Sequence, residues 1–107
     1  WKLVNGFDWD TGNARKSEDK HGVSQSEAEQ VFFSQPLLIA SDIDHSRNER
    51  RWHALGRTED QRLLHVTFTL RERDTLIRVI LARPMSRKEK VHYAQAQQAP
   101  TRIQDGS

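Results

Sequence analysis

Arg62-Leu63-Leu64-His65-Val66-Thr67-Phe68-Thr69-Leu70-Arg71 decides the fold. Leu64, Val66, Phe68 and Leu70 alternate with His65, Thr67, Thr69 and Arg71, the two-residue period of a strand with one face buried. Such a strand needs partners, and its flanks supply them. Arg50–Arg57 reads as the strand before it, closed by Gly56 and a polar turn at 58–61. Leu76–Arg83 reads as the strand after it, with β-branched Ile77, Val79 and Ile80. The connections are short, so an antiparallel meander is expected. Leu37–Ala40, a short apolar run, gives a fourth strand, and Ser41–Glu49 a polar loop. Pro84 ends the third long strand.

Helix signals lie outside this block. Ser24-Gln25-Ser26-Glu27 has the spacing of a capping box, with Val23 and Ala28 placed for a hydrophobic staple. Ala28, Val31 and Phe32 share a face, and Pro36 stops the helix at or before Gln35. Residues 11–20 are polar, but Asp10 or Thr11 is a fitting N-cap and Gly22 a fitting C-terminal stop. Ser86-Arg87-Lys88-Glu89 opens a last helix that runs to about Ala94. The expected fold is α+β: two N-terminal helices, a four-stranded antiparallel sheet and a C-terminal helix. An edge strand at Lys2–Val4 is a possible addition. Residues 1–94 form one expected domain, and 95–107 a flexible tail.

The formal net charge of +2 hides a polarity. Residues 1–49 hold five Lys/Arg against nine Asp/Glu, and residues 50–95 hold eleven against five. The basic half is the strand half, which points to an anionic partner, of which nucleic acid is the commonest. With no cysteine there is no disulfide or thiolate chemistry. The first residues carry no apolar signal core and no apolar run is long enough to span a membrane, so a cytoplasmic protein without a membrane partner is expected.

No Gly-rich phosphate loop, nucleophile elbow or HExxH motif appears, and no metal or other cofactor is expected. Asp42, Asp44 and His45 read as a solvated loop. What remains is basic. Arg51, His53 and Arg57 alternate on one strand face, and His65, Thr67, Thr69 and Arg71 on the next. Arg78 and Arg83 are an odd number of residues apart and are expected on opposite faces of theirs. A field of Arg, His and Thr holds phosphates and stabilises a developing dianion, and an imidazole moves protons. Those are the parts of a metal-independent ribonuclease in which the 2′-OH attacks the adjacent phosphate. Plainer roles exist for several groups. An Arg-rich strand face is commonly just solvated, His21 suits a helix C-terminus, and Glu89 completes a capping box. Tyr93 packs a helix as readily as it binds RNA, and Trp9 and Trp52 suit a core.

Two stretches carry a more specific signal. One is Phe7-Asp8-Trp9-Asp10 with Lys20-His21-Gly22-Val23-Ser24 and the 27–32 helix. The other runs through Asp44-His45-Ser46, Glu49-Arg50-Arg51-Trp52, Ala54-Leu55-Gly56-Arg57, Val66–Thr69 and Ile77–Arg83 to Glu89 and Tyr93. In this order they resemble the BrnT family of toxins over about residues 7–94. The resemblance implies a type II toxin with a fold related to RelE-type ribonucleases, which cleaves RNA to inhibit growth and needs no cofactor. It implies a BrnA-like ribbon-helix-helix antitoxin, a 2:2 heterotetramer, and operator DNA bound through the antitoxin. It places function on Lys20, His21, Arg57, Arg83, Glu89 and Tyr93. With Arg71 added from its strand face, His21, Arg57, Arg71 and Arg83 are the expected catalytic set, His21 moving the proton. Lys20, Arg51, His65, Glu89 and Tyr93 are the expected RNA contacts. Many relatives have Lys and Asn where this chain has Asn13 and Ser17, so roles at those two positions do not transfer. The alternative is a non-catalytic basic module that binds RNA or the antitoxin.

Overall fold

In the computed structural model, which describes residues 4–45 and 48–98, the alternating stretch becomes β4 (Leu63–Arg71), the central strand of a five-stranded sheet. Its companions are β1 (Gly6–Phe7), β2 (Leu38–Asp42), β3 (Arg51–Arg57) and β5 (Leu76–Pro84), in the order β1-β5-β4-β3-β2. The helices are α1 (Thr11–His21), α2 (Gln25–Val31) and α3 (Arg87–Gln98). β2 to β5 form the expected antiparallel meander. The four-stranded antiparallel expectation is corrected at one edge. β1 pairs parallel to β5, with Gly6 opposite Leu76 and Phe7 opposite Ile77, so the sheet has five strands and is mixed. Two residues carry no periodicity, which is why β1 is invisible as sequence. Of the edge strand expected at Lys2–Val4, Lys2 and Leu3 lie outside the described residues, as does the tail from Ala99. α3 continues to Gln98, past the expected end at Ala94.

One face of the sheet is the core. Leu64, Val66 and Phe68 are buried there with Ala54, Ile77, Val79 and Ala82, beneath Val23, Ala28 and Val31 of the helical layer. Trp9 and Trp52 pack against this cluster, Trp52 stacking on Phe68 at 5.8 Å. The caps follow the sequence. Ser24 and Glu27 close a reciprocal box on α2, and Ser86 and Glu89 close one on α3. Asp10 caps α1, with Asn13 returning the bond to its backbone. Gly22 ends α1 at φ 65°, a left-handed conformation that glycine adopts without a Cβ penalty.

α1 is almost wholly polar, and the structure shows what it does. β1 covers only the first residues of β5, which leaves the rest of that strand as an exposed ladder edge. The β4–β5 register also slips: Thr67 faces Leu81 while Phe68 faces Val79, so Ile80 is an extra residue. α1 lies along this edge. Asn13 Nδ2 donates to Val79 O at 3.0 Å, and the Ala82 N–H donates to Ser17 Oγ at 2.7 Å. Asn13 and Ser17 are four residues apart, about 6 Å along a helix. The two groups they satisfy are about 7 Å apart along a strand, so the spacings match. The bulge has a second effect. It brings Arg78 and Arg83, opposite Thr69 and His65, onto the same face. The expectation that they oppose each other fails because it assumed an unbroken two-residue period.

Candidate functional site

The sheet face turned away from α1 and α2 carries the titratable residues. By register His53, Leu55 and Arg57 of β3 lie beside Thr67, His65 and Leu63 of β4, with Arg83 across from His65 and Asp42 across from Arg51. α3 packs over one end of this face and is fixed at two points. Arg83 grips Glu89 through two parallel bonds of 2.9 Å, and the buried Tyr93 donates its hydroxyl to Pro36 O at 2.6 Å. Between α3 and β2–β3 runs a cleft of about 440 Å³. Its lining includes Leu38, His53, Leu55, His65, Arg83 and His92.

Two imidazoles form its centre. His53 and His65 stack with ring centroids 4.8 Å apart. His53 is fixed at both nitrogens, with Nε2 2.8 Å from Asp42 Oδ2 and Nδ1 3.0 Å from Thr67 Oγ1. Asp42 also meets the Nδ1 atom of His45 at 3.1 Å. Burial works to raise the Asp42 carboxyl, but hydrogen bonds from His45 and His53 outweigh it and hold it below its ordinary value. His65 is 7% exposed, and its Nδ1 is buried with no partner. Burial, and then the Arg83 charge, push its pKa down to about 4, so it is neutral at pH 7. Burial acts to raise Glu89 as well, but the Arg83 and Ser86 hydrogen bonds prevail and leave it at about 2. The cleft thus joins a carboxylate-held imidazole, a neutral imidazole and a guanidinium–carboxylate pair. An imidazole held by a carboxylate is fixed in orientation, which is the arrangement of a proton-transfer group.

The nine residues singled out from sequence scatter around this centre. Arg83 and His65 lie in the cleft, and Glu89 on its rim is tied to Arg83. Arg57 is two positions along β3 from Leu55, the residue facing His65, and its guanidinium donates to Gln35 O at 2.8 Å and Gln61 Oε1 at 3.2 Å. Arg51 shares the face at the other end of β3. Arg71 is six residues from His65, about 20 Å along the strand, and pairs with Glu49 at 3.2 Å. Tyr93 is fully buried beneath α3. Lys20 and His21 belong to the last turn of α1, outside the residues that line the cleft, and the His21 carbonyl accepts from Arg62.

Sequence reasoning missed Asp42 and His92 as site members and left His53 and Thr67 among the polar residues of their strand faces. The signal for Asp42 was present. Extending the 37–40 run by two residues puts Leu38, Ala40 and Asp42 on one face, and β2 does extend that far. Among the described residues no group of three or more His, Asp or Glu side chains is arranged to hold a metal ion. None of the helices described is long and apolar enough to cross a membrane. Residues 9–89 match a family model described as "Ribonuclease toxin, BrnT, of type II toxin-antitoxin system". No curated protein matches the chain.

Proposed function

The chain belongs to the BrnT family of ribonuclease toxins of type II toxin–antitoxin systems, and from that premise we propose that it is a metal-independent endoribonuclease acting in the cytoplasm to inhibit growth. The family implies an RNA target and an antitoxin. The observation that carries the finer reading is the Asp42–His53–Thr67 chain beside His65 and Arg83. His53 is the proton-transfer residue, and Asp42 positions it. This role moves from His21 to His53 because His21 lies in the α1 layer. A hydroxyl, that of Thr67, already sits at His53 Nδ1. A ribose 2′-OH displacing it meets the imidazole lone pair and gives up its proton there. The 2′-oxygen then forms a bond to phosphorus, the bond from phosphorus to the 5′-oxygen breaks, and the leaving oxygen takes a proton from water. The products are a 2′,3′-cyclic phosphate and a 5′-hydroxyl. Arg83 and Arg57 supply positive charge to the phosphorane. The partner that silences the chain is a BrnA-like ribbon-helix-helix antitoxin in a 2:2 complex, which holds operator DNA through the antitoxin, and the fold is of the RelE-like kind.

The test is single-stranded RNA incubated with the purified, antitoxin-free chain in EDTA. Cleavage with 5′-hydroxyl ends is expected, and His53→Ala lowers the rate about 100-fold or more without unfolding the chain. Intact RNA, with or without ribosomes, overturns the reading. A second reading has its own observation. The Arg83 and Arg57 guanidiniums are already engaged within the chain, as they are in a face that binds without cutting. Salt-dependent RNA binding with intact product marks that case.

A further inference from the structure

The cleft beside His53 has two unlike walls. Leu38 and Leu55 are Cα partners on β2 and β3 and, with Ala40, make one side apolar. Next to them in the same row of the sheet come His65, the Cα partner of Leu55, and Arg83, paired with Glu89, with the exposed His92 on α3 at the rim. A small anion would have to displace Glu89 to pair with Arg83 here. The Arg83 guanidinium is already matched by a carboxylate through two bonds of 2.9 Å. The neighbouring imidazole is neutral at pH 7, its pKa held at about 4. The volume of about 440 Å³ lies within the range of small-molecule sites. Apolar walls with a few hydrogen-bonding groups suit a flat, uncharged heterocycle.

A second observation points the same way. Among the described residues, His65 Nδ1 is the buried side-chain nitrogen or oxygen that has no hydrogen-bond partner. A buried polar atom left unpaired is costly, and where one persists in a native site it commonly marks a group kept for a ligand or water. His65 is 93% buried by the same measure that leaves 7% exposed, and it lines the cleft.

We propose that this cleft is a nucleobase subsite. The base beside the scissile phosphate lies against Leu38 and Leu55 and hydrogen-bonds the His65 imidazole, while His92 closes the mouth. The assignment rests on the ribonuclease reading for what is cut, since His53 stacks on His65 at 4.8 Å and so places the phosphate chemistry one group away. His65 then sets which RNA site is cut and takes no proton in the reaction.

Two measurements test it. The first titrates the wild-type chain with adenosine, guanosine, cytidine and uridine, which carry no phosphate, and with inorganic phosphate, while following the imidazole resonances by NMR. His65 and His92 are expected to shift with one or two nucleosides at millimolar concentration and to stay still with phosphate. The second maps cleavage of a randomised RNA pool. Leu38→Trp fills the apolar side, and the base preference next to the cut is expected to flatten at least tenfold. The subsite is overturned if no nucleoside moves His65 or His92, or if folded Leu38→Trp keeps the wild-type preference. If Leu38→Trp does not fold, the wild-type titration decides alone. Nucleoside binding at His65 with no RNA cleavage leaves the subsite standing and removes the ribonuclease reading. Cleavage with unmoved histidines does the reverse.

Discussion

Ser17→Ala separates a structural role from a catalytic one at a buried position on α1. Ser17 is 5% exposed and Ala82 is fully buried, so no water replaces the hydroxyl that accepts the Ala82 N–H at 2.7 Å. Losing the bond and stranding the donor costs about 1–3 kcal/mol. Alanine returns about 0.5 kcal/mol through its better helix propensity. The net expectation is a loss of about 1.5 kcal/mol, or about 7 °C in Tm for a domain of this size. The Trp fluorescence of the chain follows urea unfolding, and RNA cleavage is measured at 25 °C where the variant is still folded. A lower midpoint with unchanged slope and a cleavage rate within twofold of wild type is expected. A melting curve superimposable on wild type would refute the edge-covering argument. A stable but inactive variant would show that Ser17 belongs to the chemistry.

Acid stability follows from His65 and Glu89. With a folded pKa of about 4 against 6.5, His65 is protonated first in the unfolded chain, so stability falls as pH drops from about 6.5 to 4. The integrated loss is about 3 kcal/mol, and His65→Leu is expected to flatten that part of a pH-resolved urea series. Glu89 is held low at about 2 and contributes stability that is lost below pH 4.5, and Glu89→Gln removes that lower limb. Gly56→Ala is expected to lower yield and Tm sharply, because the new Cβ would stand 2.5 Å from Ser34 Oγ and 2.9 Å from the Val31 carbonyl oxygen on the backbone. Overpacking of this kind costs about 1–3 kcal/mol, and a Tm within 2 °C of wild type counts against it. Asp42→Asn keeps the strand but weakens the hold on His53. A fall in cleavage smaller than that of His53→Ala is expected, with a shifted pH–rate profile as the sign of a positioning role.

The long strands were legible because each repeats one simple rule. Leu64, Val66, Phe68 and Leu70 alternate without interruption, and the extra residue at the β4–β5 pairing lies on β5. The capping boxes at Ser24 and Ser86 were legible because they are local, closed within four residues. β1 was not, since its two residues are a strand only because β5 is beside them. Asp42 was legible in part: its spacing from Leu38 and Ala40 is regular, but how far β2 runs is not a property of that run alone. Its position on β2 is set by pairing with Arg51, and pairing is a fact about a neighbour.

The arginine face shows how far such a hidden feature reaches. On an unbroken strand Arg78 and Arg83 must point apart. Ile80 breaks the period, and Arg83 arrives on the face of His65. A bulge leaves backbone groups without ladder partners, and an uncovered sheet edge invites pairing with another chain. α1 answers both demands with two short polar side chains. Asn13 accepts the Asp10 N–H, donates to Asp8 O at 3.1 Å and donates to Val79 O, while Ser17 takes the Ala82 N–H. The polarity of α1, which as sequence looked like a helix without a core face, is therefore a consequence of lying on a strand edge rather than on a hydrophobic layer. Asn13 and Ser17 thus have a structural role on the β5 edge, where they support the irregularity that sets Arg83 beside the histidines.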